Sequence, residues 1–123
     1  MTAIRPDELD RELTDGSAPF VLDIRPREHY RRGSIDSSHN VPCYNDLRRG
    51  EESSLLDRLD EIPREERIVV VCKQGIVAKR ATRLLTDAGY DAVTLAGGMG
   101  GWNGYRKGTV GYRLRSLLWR LLP

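Results

Sequence analysis

Cys72 is the residue with the clearest chemical potential, because it directly follows an apolar run at residues 68–71. A run of β-branched residues is typical of a parallel strand that is buried on both faces. A helical pattern begins near Val77, so the thiol lies between the carboxyl end of a strand and the amino terminus of a helix. The loop that joins the two elements consists of Lys73, Gln74, Gly75 and Ile76.

A tight loop before a helix directs its backbone amides at one point and forms a cradle for an anion. Gly75 provides the backbone freedom that such a loop needs, and Lys73 is its only charged side chain. We expect a thiol in this cradle to react as a thiolate and to be held as a persulfide anion once it has taken a sulfur atom. This chemistry requires no metal or organic cofactor. The alternative is that Cys72 is a small buried hydrophobe at a strand end.

The remaining thiol and imidazole groups carry weaker signals. Cys43 follows a short strand pattern, and we interpret it as a partly buried packing residue. A role as a resolving thiol, or as a disulfide partner of Cys72, depends on a separation that sequence does not give. His29 and His39 have no partners at metal-ligand spacing and are interpreted as packing or surface residues.

The elements that must position Cys72 alternate along the chain, which favours an open α/β sheet with mostly parallel strands. Strands are predicted at residues 20–24, 39–41, 68–71 and 92–95. Helices are predicted from Pro6 to just before Gly16, at 26–30, within 44–64 and at 77–88, and residues 97–102 are predicted to form a glycine-rich turn. Ligands of such sheets bind beyond the carboxyl ends of the strands, where Cys72 lies.

Length and composition indicate one domain. The chain has 123 residues, of which 39% are hydrophobic and 31% charged, and this is enough for one core without disulfides or metals. Two cysteines without a CxxC pair predict neither a disulfide framework nor a zinc site. The N-terminus lacks the apolar segment of a signal peptide, and residues 68–72 are too few to span a bilayer. We therefore expect a soluble, cytoplasmic protein with reduced thiols.

The charge of +2 is unevenly distributed. Residues 104–123 contain five basic residues and no acidic one, whereas the rest of the chain carries a net charge of −3. A slightly acidic body with a basic tail does not match a nucleic-acid-binding protein, so no nucleic acid is expected as a partner.

The basic tail also has a helical pattern, with four leucines on one side and Arg113, Ser116 and Arg120 on the other. The leucines are Leu114, Leu117, Leu118 and Leu121. We predict a domain at residues 1–104, followed at 105–123 by a basic amphipathic helix that packs on it with its basic face in solvent. The alternative is an amphipathic anchor for a partner protein or an anionic membrane surface.

Five segments, spread over nearly the whole chain and in matching order, resemble motifs of the rhodanese family. They are Asp23-Ile24-Arg25, Glu28-His29-Tyr30 with Gly33-Ser34-Ile35, Asn40-Val41-Pro42, Cys72-Lys73-Gln74-Gly75, and Leu95-Ala96-Gly97-Gly98-Met99 with Trp102. The resemblance implies a single α/β domain with a mostly parallel five-stranded sheet flanked by helices.

The resemblance also implies a sulfurtransferase in which a persulfide on Cys72 carries sulfur from thiosulfate or a protein persulfide to a thiophilic acceptor, which can be a protein. The amides of Lys73, Gln74, Gly75, Ile76 and Val77 would bind the substrate. Asp23, Arg25 and Glu28 would support the site, and their spacing suggests an ion pair between Arg25 and Glu28.

Two departures from the family pattern bear on the substrate. Many members have arginine and serine where this chain has Val77 and Ala78, and Ser34 stands where a histidine is usual. Loss of a cation at the loop suggests a sulfur donor that is less anionic than thiosulfate or is borne by a protein. A related phosphatase would need an arginine at the position of Ala78, so phosphatase activity is disfavoured. A non-catalytic binding or regulatory module remains the rival interpretation.

Overall fold

The sheet places the strand that precedes Cys72 at its centre. The computed structural model describes residues 2–121 and contains a sheet of five parallel strands in the order β1-β5-β4-β2-β3. The strands are β1 (Ala3–Ile4), β2 (Phe20–Asp23), β3 (His39–Asn40), β4 (Ile68–Val71) and β5 (Ala92–Leu95). The predicted parallel α/β architecture is therefore confirmed.

Strand β4 is central because its side chains are apolar on both faces. Val70 pairs with Leu22 of β2 and with Thr94 of β5, and all four residues of β4 are fully buried. A strand of this kind has no solvent-facing side, which is why its apolar residues follow one another without alternating polar ones.

Helices cover both faces of the sheet. They are α1 (Pro6–Thr14), α2 (Arg27–Arg32), α3 (Tyr44–Arg48), α4 (Ser53–Leu56), α5 (Ala78–Asp87), α6 (Gly98–Lys107) and α7 (Val110–Leu121), with a 3₁₀ turn at Leu59–Glu61. Buried residues of α3, α4 and α5 form one core with Leu22 and Val70. Buried residues of α1 and α6 form the other with Val69 and Val71.

Three predicted elements differ from the structure, and one strand was not predicted. The predicted helix at 105–123 is divided at Gly108, whose φ is +65°, because α6 extends to Lys107 and α7 begins at Val110. Strand β1 was not predicted, because two residues are too short to show a pattern. The helix within residues 44–64 is instead two short helices and a 3₁₀ turn, interrupted at Gly50, whose φ is +88°. The predicted turn at residues 97–102 was wrong, because Gly98 begins helix α6.

The last helix, α7, packs with a different face from the leucine side that its pattern singles out. Tyr112 and Ser116 are buried, whereas the four leucines are exposed. The reason lies in α6, where glycines leave a shallow surface for aromatic rings. A Cβ atom on Gly104 would lie 3.0 Å from Cβ of Tyr112, and one on Gly101 would lie 3.7 Å from the ring of Trp119.

Aromatic contacts extend this packing to α1. The ring of Tyr112 lies 5.5 Å from that of Tyr105 and 6.0 Å from that of Trp119, in edge-on arrangements. The hydroxyl of Tyr105 donates a hydrogen bond to Asp10 of α1 at 2.6 Å. Helix α7 is thus joined to the domain through an aromatic cluster.

We expect Tyr112→Ala to lower the free energy of unfolding by about 3 kcal/mol, because it removes a buried ring from this cluster. Leu118→Ala, at an exposed position of the same helix, should change it by less than about 0.5 kcal/mol. Urea denaturation of the two variants and the wild type is the measurement. Equal destabilisation by both substitutions would contradict the packing described here.

Candidate active site

The thiol of Cys72 lies one residue beyond β4, at the carboxyl edge of the sheet and just before α5. Its sulfur accepts hydrogen bonds from the backbone N–H of Gly75 at 3.1 Å and from that of Ala78 at 3.4 Å. The residue is only 1% exposed, so the sulfur lies at the bottom of the loop. Two N–H groups directed at one atom favour negative charge on that atom.

The loop reaches this shape because Gly75 adopts a φ of +85°, a conformation that favours glycine. The space beside Gly75 also excludes a side chain. A Cβ atom at this position would lie 3.1 Å from the backbone N of Gly97 and 3.2 Å from the carbonyl oxygen of Leu95. Any other residue would strain the backbone that presents the first N–H to Cys72.

Helix α6 supports the loop from the other side. The N–H of Met99 donates to the carbonyl of Cys72 at 2.8 Å, and the N–H of Gly100 donates to that of Lys73 at 3.0 Å. The loop therefore caps N–H groups in the first turn of α6, which would otherwise be unsatisfied. Contact at Gly98 is closer still, since an added Cβ would overlap the Cys72 carbonyl oxygen and lie 2.7 Å from the Lys73 carbonyl carbon.

Gly98 is thus a supporting residue of the site that was not predicted from the sequence. The sequence signal was the Gly97-Gly98 pair directly after a strand, since paired glycines mark places where two backbones approach closely. The sequence pattern predicts only a turn for Gly97 and Gly98, without a role in the site.

The other residues of the predicted cradle show no hydrogen bond to the sulfur, and Val77 among them is buried in the core. The ammonium of Lys73 lies over the ring of Tyr44, 5.2 Å from its centroid. Gln74 is exposed, and Ile76 is 72% exposed at the tip of the loop. Ala78, which lies outside the predicted cradle of residues 73–77, supplies the second N–H and has no side chain that can clamp a phosphate.

A buried ion pair lies at the end of the neighbouring strand. The guanidinium of Arg25 donates to both carboxylate oxygens of Asp23 at 2.8–3.1 Å, and both residues are buried. The predicted Arg25–Glu28 pair is therefore wrong. Arg25 precedes α2, which begins at Arg27, so helical spacing does not relate it to Glu28, whose side chain is exposed.

The same pair fixes the chain that follows β2. Arg25 also donates to the carbonyl of Gly33 at 2.7 Å, which ties down the end of α2. The side-chain amide of Asn40 donates to the carbonyls of Asp23 and Arg25, each at 2.9 Å. Asp23 pairs in register with Val71, so this network braces the strand end from which Cys72 emerges.

His29 of α2 lies among the cations near the loop. Desolvation lowers the pKa of His29, and the positive charges of Lys73, Arg32 and Arg25 act in the same direction. The imidazole therefore stays neutral at neutral pH and adds no charge to the group of cations around the loop. Spacing in the sequence gave no reason to expect His29 near Lys73.

Cys43 differs from Cys72 in its surroundings. It lies in the core at 1% exposure, and burial raises the pKa of its thiol to about 12. A thiol of this kind is almost entirely protonated at neutral pH and is a poor nucleophile. The packing interpretation of Cys43 accords with this environment, since the residue precedes α3 inside the core.

Comparison with known families identifies this arrangement. The family model for the rhodanese-like domain matches residues 5–105, which contain four of the five strands, β2 to β5, and all of the site. The remaining C-terminal residues, including α7, lie beyond the match.

This chain matches only part of the length of its curated relatives. The adenylyltransferase and sulfurtransferase MOCS3-2 of Zea mays is 33% identical over 96 residues, which are 77% of this chain and 20% of the maize protein. The HTH-type transcriptional regulator Rv0324 of Mycobacterium tuberculosis is 33% identical over 102 residues, which are 81% of this chain and 41% of that protein.

Solved structures agree with the fold. A rhodanese-like domain protein from Staphylococcus aureus superposes with a TM-score of 0.70 at 26% identity, covering 83% of this chain and 91% of that one. The NAD-dependent persulfide reductase of A. fulgidus superposes with a TM-score of 0.57 at 33% identity, covering 80% of this chain and 15% of that one. With the family match and the loop geometry in agreement, the chain belongs to the rhodanese-like domain family.

Proposed function

We propose that the protein is a sulfurtransferase that carries a sulfane sulfur on Cys72. The observation that carries the proposal is the pair of hydrogen bonds from the N–H groups of Gly75 and Ala78 to the sulfur. These donors stabilise the thiolate before transfer and the persulfide after it, so one cradle serves both halves of the reaction.

The reaction balances without any redox partner. The Cys72 thiolate attacks the outer sulfur of a donor such as thiosulfate, a new S–S bond forms at Cys72, and the donor's S–S bond breaks as sulfite leaves with the electron pair. A thiophilic acceptor, such as a thiolate or cyanide, then attacks the terminal sulfur. The S–S bond to Cys72 breaks, and the thiolate is regenerated.

Two relatives support this chemistry by name. The maize protein is a sulfurtransferase as well as an adenylyltransferase, and the A. fulgidus protein is a persulfide reductase. This chain covers 20% and 15% of those proteins, so only the rhodanese-like part of each bears on the proposal. Because both cysteines are free thiols, the proposal includes a reducing compartment such as the cytoplasm.

The donor we propose is a persulfide with little charge, either small or protein-borne, rather than thiosulfate. The exposed side chain at the tip of the loop is Ile76, and Val77 and Ala78 contribute no charge. The one cation of the loop, Lys73, lies over Tyr44. An apolar loop tip suits contact with a carrier protein better than capture of a small dianion.

The second candidate function is a non-catalytic binding or regulatory module. Its support is the similarity to Rv0324, whose name describes a transcriptional regulator. A module of this kind need not load sulfur on Cys72 at all, and loading therefore separates the two functions.

Incubation with thiosulfate, and in parallel with a polysulfide, should add the mass of one sulfur atom to the wild-type chain. Intact mass spectrometry before and after a reductant measures the gain, which the reductant should remove. Cys43→Ala is the matched control and should load like the wild type, because the pKa of about 12 keeps the Cys43 thiol protonated and a poor nucleophile. Cys72→Ala should not load. Absence of loading from both donors on the wild type would favour the binding module.

Ile76→Arg should lower the KM for thiosulfate by about threefold to tenfold, because a cation at the loop tip attracts a dianion. Ile76→Gln removes the apolar side chain without adding charge and should leave the KM for thiosulfate unchanged. Steady-state sulfur transfer to cyanide gives the measurement, repeated at high salt to screen the charge. If wild type and Ile76→Arg have the same KM at low salt, the electrostatic account of the donor fails.

Gly98→Ala should slow persulfide formation by at least about tenfold, because the new methyl group meets the backbone of Cys72 and Lys73 and the φ of +57° is strained. Gly100→Ala is the control in the same helix, since its added Cβ would lie 3.5 Å from the Lys73 carbonyl oxygen in ordinary contact. Its rate should stay within about twofold of the wild type. Rapid-mixing mass spectrometry gives both rates, and equal rates would show that the close approach at Gly98 is not needed.

A further inference from the structure

Helix α7 presents an apolar face that is largely exposed to solvent. We call it the leucine face, and it consists of Val110, Leu114, Leu117, Leu118 and Leu121. These side chains are 54–72% exposed. The opposite side of the same helix, with Tyr112 and Ser116, is the side that packs on α6. An ordinary surface helix has the reverse arrangement, with its leucines inward.

The cations of α7 border this face. On a helix with 3.6 residues per turn, Arg113 and Arg120 fall between the leucine face and the packed side along one edge, and Arg115 falls along the other. All three arginines are exposed. Long basic side chains beside an apolar strip can extend their charged ends away from it while their stems cover its edges.

The surroundings of the leucine face contain no acid from its own segment. Residues 104–123 carry five basic residues and no acidic one. Asp7 and Asp10 of α1 contact Tyr112 and Tyr105 on the packed side, and Asp10 also lies 3.9 Å from the guanidinium of Arg106 in α6, whereas no such pair is found for Arg113, Arg115 or Arg120 within residues 2–121. The outward side therefore combines apolar surface with uncompensated positive charge.

We propose that the leucine face binds an anionic membrane surface, with α7 lying in the plane of the interface. Such a surface offers hydrocarbon to the leucines and negative headgroups to the bordering arginines. A second copy of the chain fits less well, because pairing two leucine faces would bring arginines together with no carboxylate from α7 to compensate them. No helix among residues 2–121 is long and apolar enough to cross a bilayer, so the contact is peripheral.

The test is co-sedimentation of the full chain with vesicles of phosphatidylcholine alone or mixed with phosphatidylglycerol. We expect binding to the mixed vesicles, little binding to the neutral ones, and weakening at high salt. The double variant Leu114→Gln/Leu118→Gln should weaken binding by at least about tenfold. Arg113→Gln/Arg120→Gln should weaken binding to the mixed vesicles and reduce its dependence on salt.

Matched controls lie elsewhere on the surface. Leu56→Gln replaces an exposed leucine of α4, and Arg83→Gln replaces an exposed arginine of α5, and both should bind vesicles like the wild type. Circular dichroism and sulfur loading of Cys72 confirm that each variant is folded. The proposal is overturned if the wild type fails to bind mixed vesicles, or binds neutral ones equally well. It is also overturned if sedimentation equilibrium without lipid shows a dimer that Leu114→Gln/Leu118→Gln dissociates.

Discussion

The structure depends on the close backbone contact between the Cys72 loop and the first turn of α6. Carbonyl groups of Cys72 and Lys73 accept hydrogen bonds from α6, and a Cβ atom added to Gly75 would lie only 3.1 Å from the backbone N of Gly97. This contact stabilises both the Cys72 loop and the start of α6. It holds the loop in the conformation that directs N–H groups inward, and it satisfies amides of a helix that has no side-chain cap. Helix α7 packs on the other side of the same glycine-rich segment, where the ring of Trp119 lies beside Gly97 and Gly101.

The charged side chains that support the site form a buried ion pair and do not present a net charge to it. Asp23 and Arg25 neutralise each other at the end of β2, and the pair is further bonded to the chain on either side. Removing one partner would leave a buried charge, which costs about 3–5 kcal/mol in comparable cases. The pair therefore acts as a brace for the strand ends, and the charge that a reacting sulfur meets comes from backbone dipoles.

Prediction from sequence succeeded where a pattern is long and local. The continuous apolar β4 and the striped α5 are of this kind, and so is the position of Cys72 between them. It failed where contacts between distant segments decide the outcome. Four glycines between residues 98 and 104 give α6 a low intrinsic helix propensity, yet burial of Trp102 and capping by the Cys72 loop make the segment helical. The leucine pattern also gave the wrong packed face for α7, because the glycines of α6 accept aromatic rings from the opposite side of that helix.

The geometry of the loop also favours the proposed persulfide over a phosphoryl group. A phosphoryl group carries charge on several oxygens and is bound by donors arranged around it, often including a bidentate arginine. Here the sulfur receives two N–H groups and lies at the base of the loop, and the position that would hold the arginine is Ala78, which is fully buried. A persulfide extends the thiol by a single atom with a single negative charge. Because backbone donors alone can hold such a group, the loop needs no cationic side chain, and Ile76 can occupy its exposed tip.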